Sequence, residues 1–326
     1  MADRWFDAPL LRNSGQCDGV REVAGRLRGA RDICFFGDMT TVRVFAALVA
    51  VTSVAQFDCF PRMNRLPAGV YQVTAVRFAT EPSYPTRFLV AGADSTRRTP
   101  LAFTVWLVQG GDRVILMDAG FYRQKFIDRW KPANYVRPSE ALEANGIKPE
   151  QVSDIVISHI HWDHLDGVDL FPRARIWLQR AEFEHYTNDS GAVLDRAIDP
   201  DDAKMLASLR AAGRVRLIDG DSVTIMPGIT VFTGGKHTFA SQYAAVKADL
   251  GNDLIGTIVL ASDNVYLYEN LEQHRPITQS LDTLSNLRAQ DRMRRLASDP
   301  RLIVPGHDVE VFTRFPKPGH GVAHIE

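Results

Sequence analysis

Cysteine is scarce in this chain: three in 326 residues, Cys17, Cys34 and Cys59, with no Cys-x-x-Cys pair. That pattern indicates no disulfide framework and argues against cysteine as a metal ligand. An excess of one charge is missing too. The formal net charge is -1, so no bulk field draws the protein to a nucleic acid. Of two arginine-rich stretches, Arg21 to Arg31 and Arg288 to Arg301, the second reads as the solvated face of a helix, with Leu281, Leu284 and Leu287 spaced for its buried face. The sequence has no low-complexity tract, short-period repeat or long linker. Nor has it an apolar run near the roughly 20 residues that a membrane-spanning helix needs.

The composition is that of a soluble globular protein, 45% hydrophobic and 24% charged. The length suits one large domain or two smaller ones. Near the amino terminus, the apolar run Val44 to Ala55 follows Met39 and Arg43 and ends in small residues. It resembles a secretory signal peptide. The expectation is a signal segment over 39–56, with Met39 as the true start and 1–38 as an extension of uncertain role. On that reading the protein is periplasmic or secreted; otherwise it is cytoplasmic.

From Tyr71 onward, short apolar strands alternate with turns. Leu101 to Val108 and Val114 to Met117 flank a glycine-containing reversal and form a hairpin ending at Asp118-Ala119-Gly120. Asp154 to Ser158, Arg175 to Gln179, Val215 to Ile218, Val223 to Met226, Ile229 to Thr233, Gln242 to Ala248, Ile255 to Ala261 and Leu302 to Val304 read as further strands. Helices are expected after Ser139 as a cap, over Ala181 to Tyr186, over Pro200 to Ala212 with Asp199 as its cap, and over Leu281 to Ala297. Hairpins mixed with helices imply an α+β arrangement, with helices outside mixed sheets. One domain over 70–320 is the simplest division.

The chemistry concentrates in His159-Ile160-His161-Trp162-Asp163-His164, which holds three of the nine histidines directly after the apolar strand Ile155-Val156-Ile157. Imidazoles and a carboxylate crowded at a strand end are costly to desolvate without a cation to share. These ligand types suit zinc, with manganese, cobalt or iron as alternatives. Further candidates follow the same strand–turn–ligand pattern: His237 after Ile229 to Thr233, Asp263 after Ile258 to Ser262, and His307 after Leu302 to Gly306.

With these residues in this order, the sequence resembles the metallo-β-lactamase superfamily over roughly 70–315. The resemblance implies an αββα sandwich with two divalent metal ions at one edge of the sheets. It assigns His159, His161 and His237 to one metal, Asp163, His164 and His307 to the other, and Asp263 to both. It also implies that Asp118 supports the site from outside the ligand set. One departure stands out: the third histidine normally sits in a Gly-His-Thr/Ser-x-Gly context, and here the chain reads Gly235-Lys236-His237-Thr238-Phe239-Ala240.

A pair of such ions supplies a bridging hydroxide from water near neutral pH, so hydrolysis is the reaction implied. Asp263-Asn264-Val265-Tyr266, Leu178-Gln179-Arg180-Ala181-Glu182-Phe183 and Gly306-His307-Asp308 resemble the N-acyl homoserine lactonase branch. That branch implies ring opening of a small lactone, hence quorum quenching, with Tyr266 on the lactone carbonyl and Asp163 delivering a proton to the departing alkoxide. Trp106, Phe121, Trp162 and Phe239 are candidates to line an acyl pocket. The competing readings are a glyoxalase II-like thioesterase, a β-lactamase, a phosphodiesterase or nuclease, and a metal-binding scaffold without activity.

Overall fold

The structure is a computed structural model describing residues 66–315 and 321–326. The segments 1–38 and 39–56 lie outside the described residues. Among those described, no helix is long and apolar enough to cross a membrane.

The frame is set by strands that are apolar on both faces. β1 (Gln72–Pro85), β2 (Arg98–Gly110) and β3 (Arg113–Met117) form an antiparallel meander. Along β2 the side chains alternate between two cores. Trp106 and Val108 face one cluster, while Val105 and Leu107 face another. β3 repeats the pattern, with Ile115 and Met117 on the first side and Leu116 on the second. A strand buried on both faces needs a layer on each side, which is the physical content of a sandwich.

After β3 come α1 (Gln124–Trp130), α2 (Pro138–Glu143), β4 (Asp154–Val156), α3 (Trp162–Leu165), β5 (Arg175–Gln179), α4 (Arg180–Tyr186), α5 (Pro200–Ala211) and β6 (Val215–Ile218). β3 to β6 pair in parallel. α2 and α5 cover the outer face, burying Leu142 and Leu206 in the second cluster. The second sheet holds β7 (Val223–Met226), β8 (Ile229–Thr233), β9 (Gln242–Asp249) and β10 (Ile255–Ser262). Beyond it lie α6 (Tyr268–Glu272), α7 (Thr283–Leu296), β11 (Ile303–Pro305), α8 (Val311–Arg314) and β12 (Val322–Ile325). The strand orders are β12-β1-β2-β3-β4-β5-β6 in the seven-stranded sheet and β11-β10-β9-β8-β7 in the five-stranded one. Val73, Trp106 and Met117 from the first meet Val231, Tyr243 and Ile258 from the second in one buried cluster. This is the expected α+β, αββα sandwich.

Three local expectations fail. The leucines expected on the inner face of α7 do not line it: Leu281, which precedes the helix, and Leu284 are 56% and 65% exposed, and Leu287 is half-buried. The buried residues of α7 are Asn286, Ala289, Gln290 and Met293. The reason is that this face packs on loop backbone. The Asn286 amide donates to the carbonyls of Gly235 and Asn264, and Gln290 Nε2 donates to that of Arg275. Ser139 caps nothing, because Pro138 already occupies the first turn and Arg137 sits at the cap without a side-chain bond. Trp106 is a core residue between the sheets rather than a pocket wall. Asp199, by contrast, caps α5, accepting from the Asp201 N–H at 2.8 Å.

Candidate metal centre

Every candidate ligand sits just past the carboxyl end of a strand, the His159 to His164 segment after β4, His237 after β8, Asp263 after β10 and His307 after β11, as does the supporting Asp118 after β3. β3 and β4 run parallel, as do β10 and β11, so their ends share one edge. Three of the nine non-glycine residues with positive φ among those described lie there, Asp118, Lys236 and Ser262, at 60°, 53° and 47°. For residues other than glycine this costs roughly 1–2 kcal/mol each. Strain of this kind persists where surrounding contacts over-determine it, as at functional sites. Gly306 has no room for a side chain, because a Cβ there would lie 2.9 Å from Asp263 Oδ1.

The structure brings all seven proposed ligands together in three groups, the second sharing one residue with each of the others: His159, His161 and His237; His159, His164 and Asp263; and Asp163, His164 and His307. In the first group, His161 Nδ1 lies 3.0 Å from His159 Nε2 and 2.9 Å from His237 Nε2. In the third, Asp163 Oδ2 lies 3.5 Å from His164 Nε2 and 3.7 Å from His307 Nε2. Asp263 stands between them. Its Oδ1 is 3.2 Å from His164 Nε2 and 3.0 Å from His307 Nε2, and its Oδ2 is 3.4 Å from His237 Nε2. One carboxylate thus turns one oxygen to each set.

The outer ring nitrogens are tied back, which selects the tautomer that leaves the inner ones as acceptors. His164 Nδ1 donates to Asp118 Oδ2 at 2.8 Å, His237 Nδ1 to the Gln279 carbonyl at 3.0 Å, and His307 Nδ1 to the Ala102 carbonyl at 3.0 Å. Asp118 also accepts from the Ser158 backbone N–H and from the hydroxyls of Ser158 and Ser262, so it links β3, β4 and β10.

The electrostatics fit a cation. Burial, reinforced by neighbouring rings, holds His159 well below its ordinary pKa and His161 at about 3, so both rings are neutral. Asp263 is buried, which pushes its carboxyl up. The His307 and His164 rings, whose own pKa values the facing carboxylates raise against burial, outweigh this and hold it well below the usual carboxylate range; a divalent ion would take the place of those ring protons. Two buried atoms here, His164 Nε2 and Asp263 Oδ1, lack a hydrogen-bond partner. Orphaned atoms of these types, converging at an edge of strained turns, are what a pair of divalent ions would satisfy.

The metallo-beta-lactamase superfamily model matches residues 98–307. The chain belongs to the metallo-β-lactamase superfamily. An N-acyl homoserine lactonase from a Bacillus species is 28% identical over 170 residues, which is 52% of this chain and 61% of that relative. The lactonase AttM of Agrobacterium fabrum is 26% identical over 183 residues, 55% of this chain and 66% of its own. Among solved structures, an N-acyl homoserine lactone hydrolase with N-hexanoyl-L-homoserine at its catalytic metal center has a TM-score of 0.62 at 19% identity, covering 76% of this chain and 98% of that one. AidC, a dizinc quorum-quenching lactonase, gives 0.55 at 14% identity over 80% and 95% of the two chains. The structural likenesses carry the fold.

The chain departs from the expected Gly-His-Thr/Ser-x-Gly context at the third histidine, and the departure is accommodated locally. Lys236 takes the left-handed conformation in the turn, and its Nζ donates to the Phe239 carbonyl at 2.7 Å. Of the proposed acyl-pocket residues, Trp162 sits in an aromatic bank with Phe121 at 4.6 Å, Phe126 at 4.8 Å and Trp130 at 5.3 Å between ring centroids. Phe239 stands apart, 40% exposed and stacked on His185 at 4.0 Å. Tyr266 is buried between the rings of His237 and His307, at 5.6 and 5.9 Å. Its hydroxyl donates to Gln279 Oε1 at 3.0 Å.

Gln279 and Glu182 matter to this geometry, and residue-level reading assigned neither a role, because a lone Gln or Glu carries no spacing signal. Burial pushes the Glu182 carboxyl up to about 7 from an ordinary 4.5, against hydrogen bonds from Thr238, Ala240 and Ile160. The folded protein therefore holds this proton more tightly than the unfolded chain. The resulting stabilisation is complete below pH 4.5 and is lost as pH rises through about 7. Over that window it amounts to roughly 3 kcal/mol. Urea unfolding of chelator-treated protein should show wild type losing stability relative to Glu182→Gln between pH 5 and 7.5. Parallel curves for the two proteins would refute the expectation.

Proposed function

We propose that this protein is a dinuclear, zinc-dependent hydrolase that opens lactone rings, with N-acyl homoserine lactones as its substrates. The observation that carries the reading is the Asp263 carboxylate, one oxygen turned to His237 and the other to His164 and His307. A carboxylate shared in this way would serve a pair of divalent ions, which His159, His161 and His237 on one side and Asp163, His164 and His307 on the other would hold. Ions bound there would polarise a substrate carbonyl and lower the pKa of water toward neutrality.

The chain's own residues supply the rest. Asp163 is buried, yet the His164 and His307 rings hold its carboxyl below the usual range, so it stands ready to take a proton. The oxygen not turned to those rings, Oδ1, accepts the proton of the attacking water and returns it to the ring alkoxide as the ester bond breaks. Burial pushes the Tyr266 phenol well above its ordinary pKa, so it acts as a neutral donor toward the carbonyl oxygen as charge develops. The aromatic bank around Trp162, the residue between His161 and Asp163, offers an apolar wall to the acyl group. The named activity of the Bacillus and Agrobacterium relatives supports the lactone.

The test is turnover of short- and long-chain N-acyl homoserine lactones by zinc-replete protein, beside S-lactoylglutathione and nitrocefin. Lactone opening alone, or fastest by a wide margin, is expected. Two bound metals with no lactone opening would overturn the substrate assignment.

A further inference from the structure

The first set of ligands comes from two different sheets, His159 and His161 from the loop after β4 and His237 from the loop after β8. His161 Nδ1 lies 3.0 and 2.9 Å from the other two nitrogens, and a neutral ring with one N–H can serve at most one of these two contacts. A further contact joins the loops.

We propose that Glu182 is the positioning residue that builds this ligand set, its buried carboxylate clipping the His159–His161 loop to the His237 loop. Glu182 opens α4 from the end of β5 and is fully buried. Its Oε1 accepts from the Ile160 N–H at 3.3 Å, between the two histidines of the first loop. The same oxygen accepts from the hydroxyl of Thr238, and Oε2 accepts from the Ala240 N–H at 2.6 Å, both in the loop of His237. Three donors from two loops converge on one carboxylate, and among the described residues no cation in hydrogen-bond contact competes for it.

The other set is anchored separately, His164 by Asp118 and His307 by the Ala102 carbonyl, so Glu182 bears on one set only. The geometry also explains why a carboxylate is needed. An amide at this position keeps one acceptor oxygen and turns an N–H toward one of the three donors. Glu182→Gln therefore weakens the clip, and Glu182→Ala removes it.

The inference rests on the two-ion reading but not on the substrate. Its test is chelator competition on full-length protein loaded with cobalt, followed by the visible absorption of the bound ions. Glu182→Gln should release one of two ions with roughly 10-fold weaker affinity, and Glu182→Ala up to about 100-fold, the range for loss of a residue that orients ligands. The second ion should stay as tight as in wild type, and the spectrum of the weakened ion should shift. Thr238→Val, which removes one donor and keeps the shape, should give a smaller loss at the same ion and serves if Glu182→Ala fails to fold. Two ions held with wild-type affinity and spectrum in both Glu182→Gln and Thr238→Val would overturn the proposal. Wild-type protein binding fewer than two ions would instead overturn the two-ion reading beneath it.

Discussion

Asp263→Asn protein should purify with about one divalent ion per chain or fewer and should lose lactone opening by roughly 10³-fold or more. Loss of a residue that merely orients a ligand costs roughly 10–100-fold in metal affinity or activity, and a ligand common to both ions exceeds that. The substitution preserves shape, which makes the result interpretable. Whichever way the amide turns, either the His237 side or the His164 and His307 side loses its oxygen and meets an N–H instead. Two buried rings then face a donor where they faced an anion. Removing one partner of a buried charged group leaves the other uncompensated, commonly at a cost of about 3–5 kcal/mol. Metal content by elemental analysis, measured beside lactone kinetics, decides the matter. Two ions per chain at wild-type rate would remove Asp263 from the centre of the site.

The strands that carry these ligands were legible because they are short, apolar and followed by a sharp turn, and burial on both faces leaves that signature in β3, β4, β8 and β10. Ligand type did the same for the histidine cluster. What stayed hidden answers to neither rule. α7 presents Asn286 and Gln290 to loop carbonyls beside the buried Ala289 and Met293, so its apolar stripe is interrupted by amides, and the exposed Leu281 and Leu284 supplied a false one. β12 is a four-residue strand past the last turn, recognisable only once Val73 to Val76 offer it an edge. Glu182 and Gln279 act through backbone groups of loops far away in sequence, which local pattern does not encode. The Trp162 bank shows the complementary case. Phe126 and Trp130 are four apart on α1, a helix whose seven residues are too few for its periodicity to stand out.

Tyr266→Phe should keep both ions and lose roughly 10²-fold in kcat, the cost of removing one donor aimed at a developing oxyanion. The ring stays buried between His237 and His307 in either protein, so packing is unchanged and only the hydroxyl is lost. That hydroxyl now donates to Gln279 Oε1 at 3.0 Å and lies 3.3 Å from His237 Nδ1, the nitrogen that also meets the Gln279 carbonyl. Gln279 thus sets both the phenol and the ring of a proposed ligand, and it is only half-buried while Tyr266 is 1% exposed. Contact between the phenol and a substrate carbonyl therefore requires the Gln279 side chain to yield its bond. Charge on the oxygen drives that exchange, since hydrogen bonds to an ionised acceptor are roughly twice as strong as neutral ones. The gain falls on the transition state, so kcat should drop much more than KM rises. A Phe variant with full metal content and unchanged kcat would leave Tyr266 as packing alone.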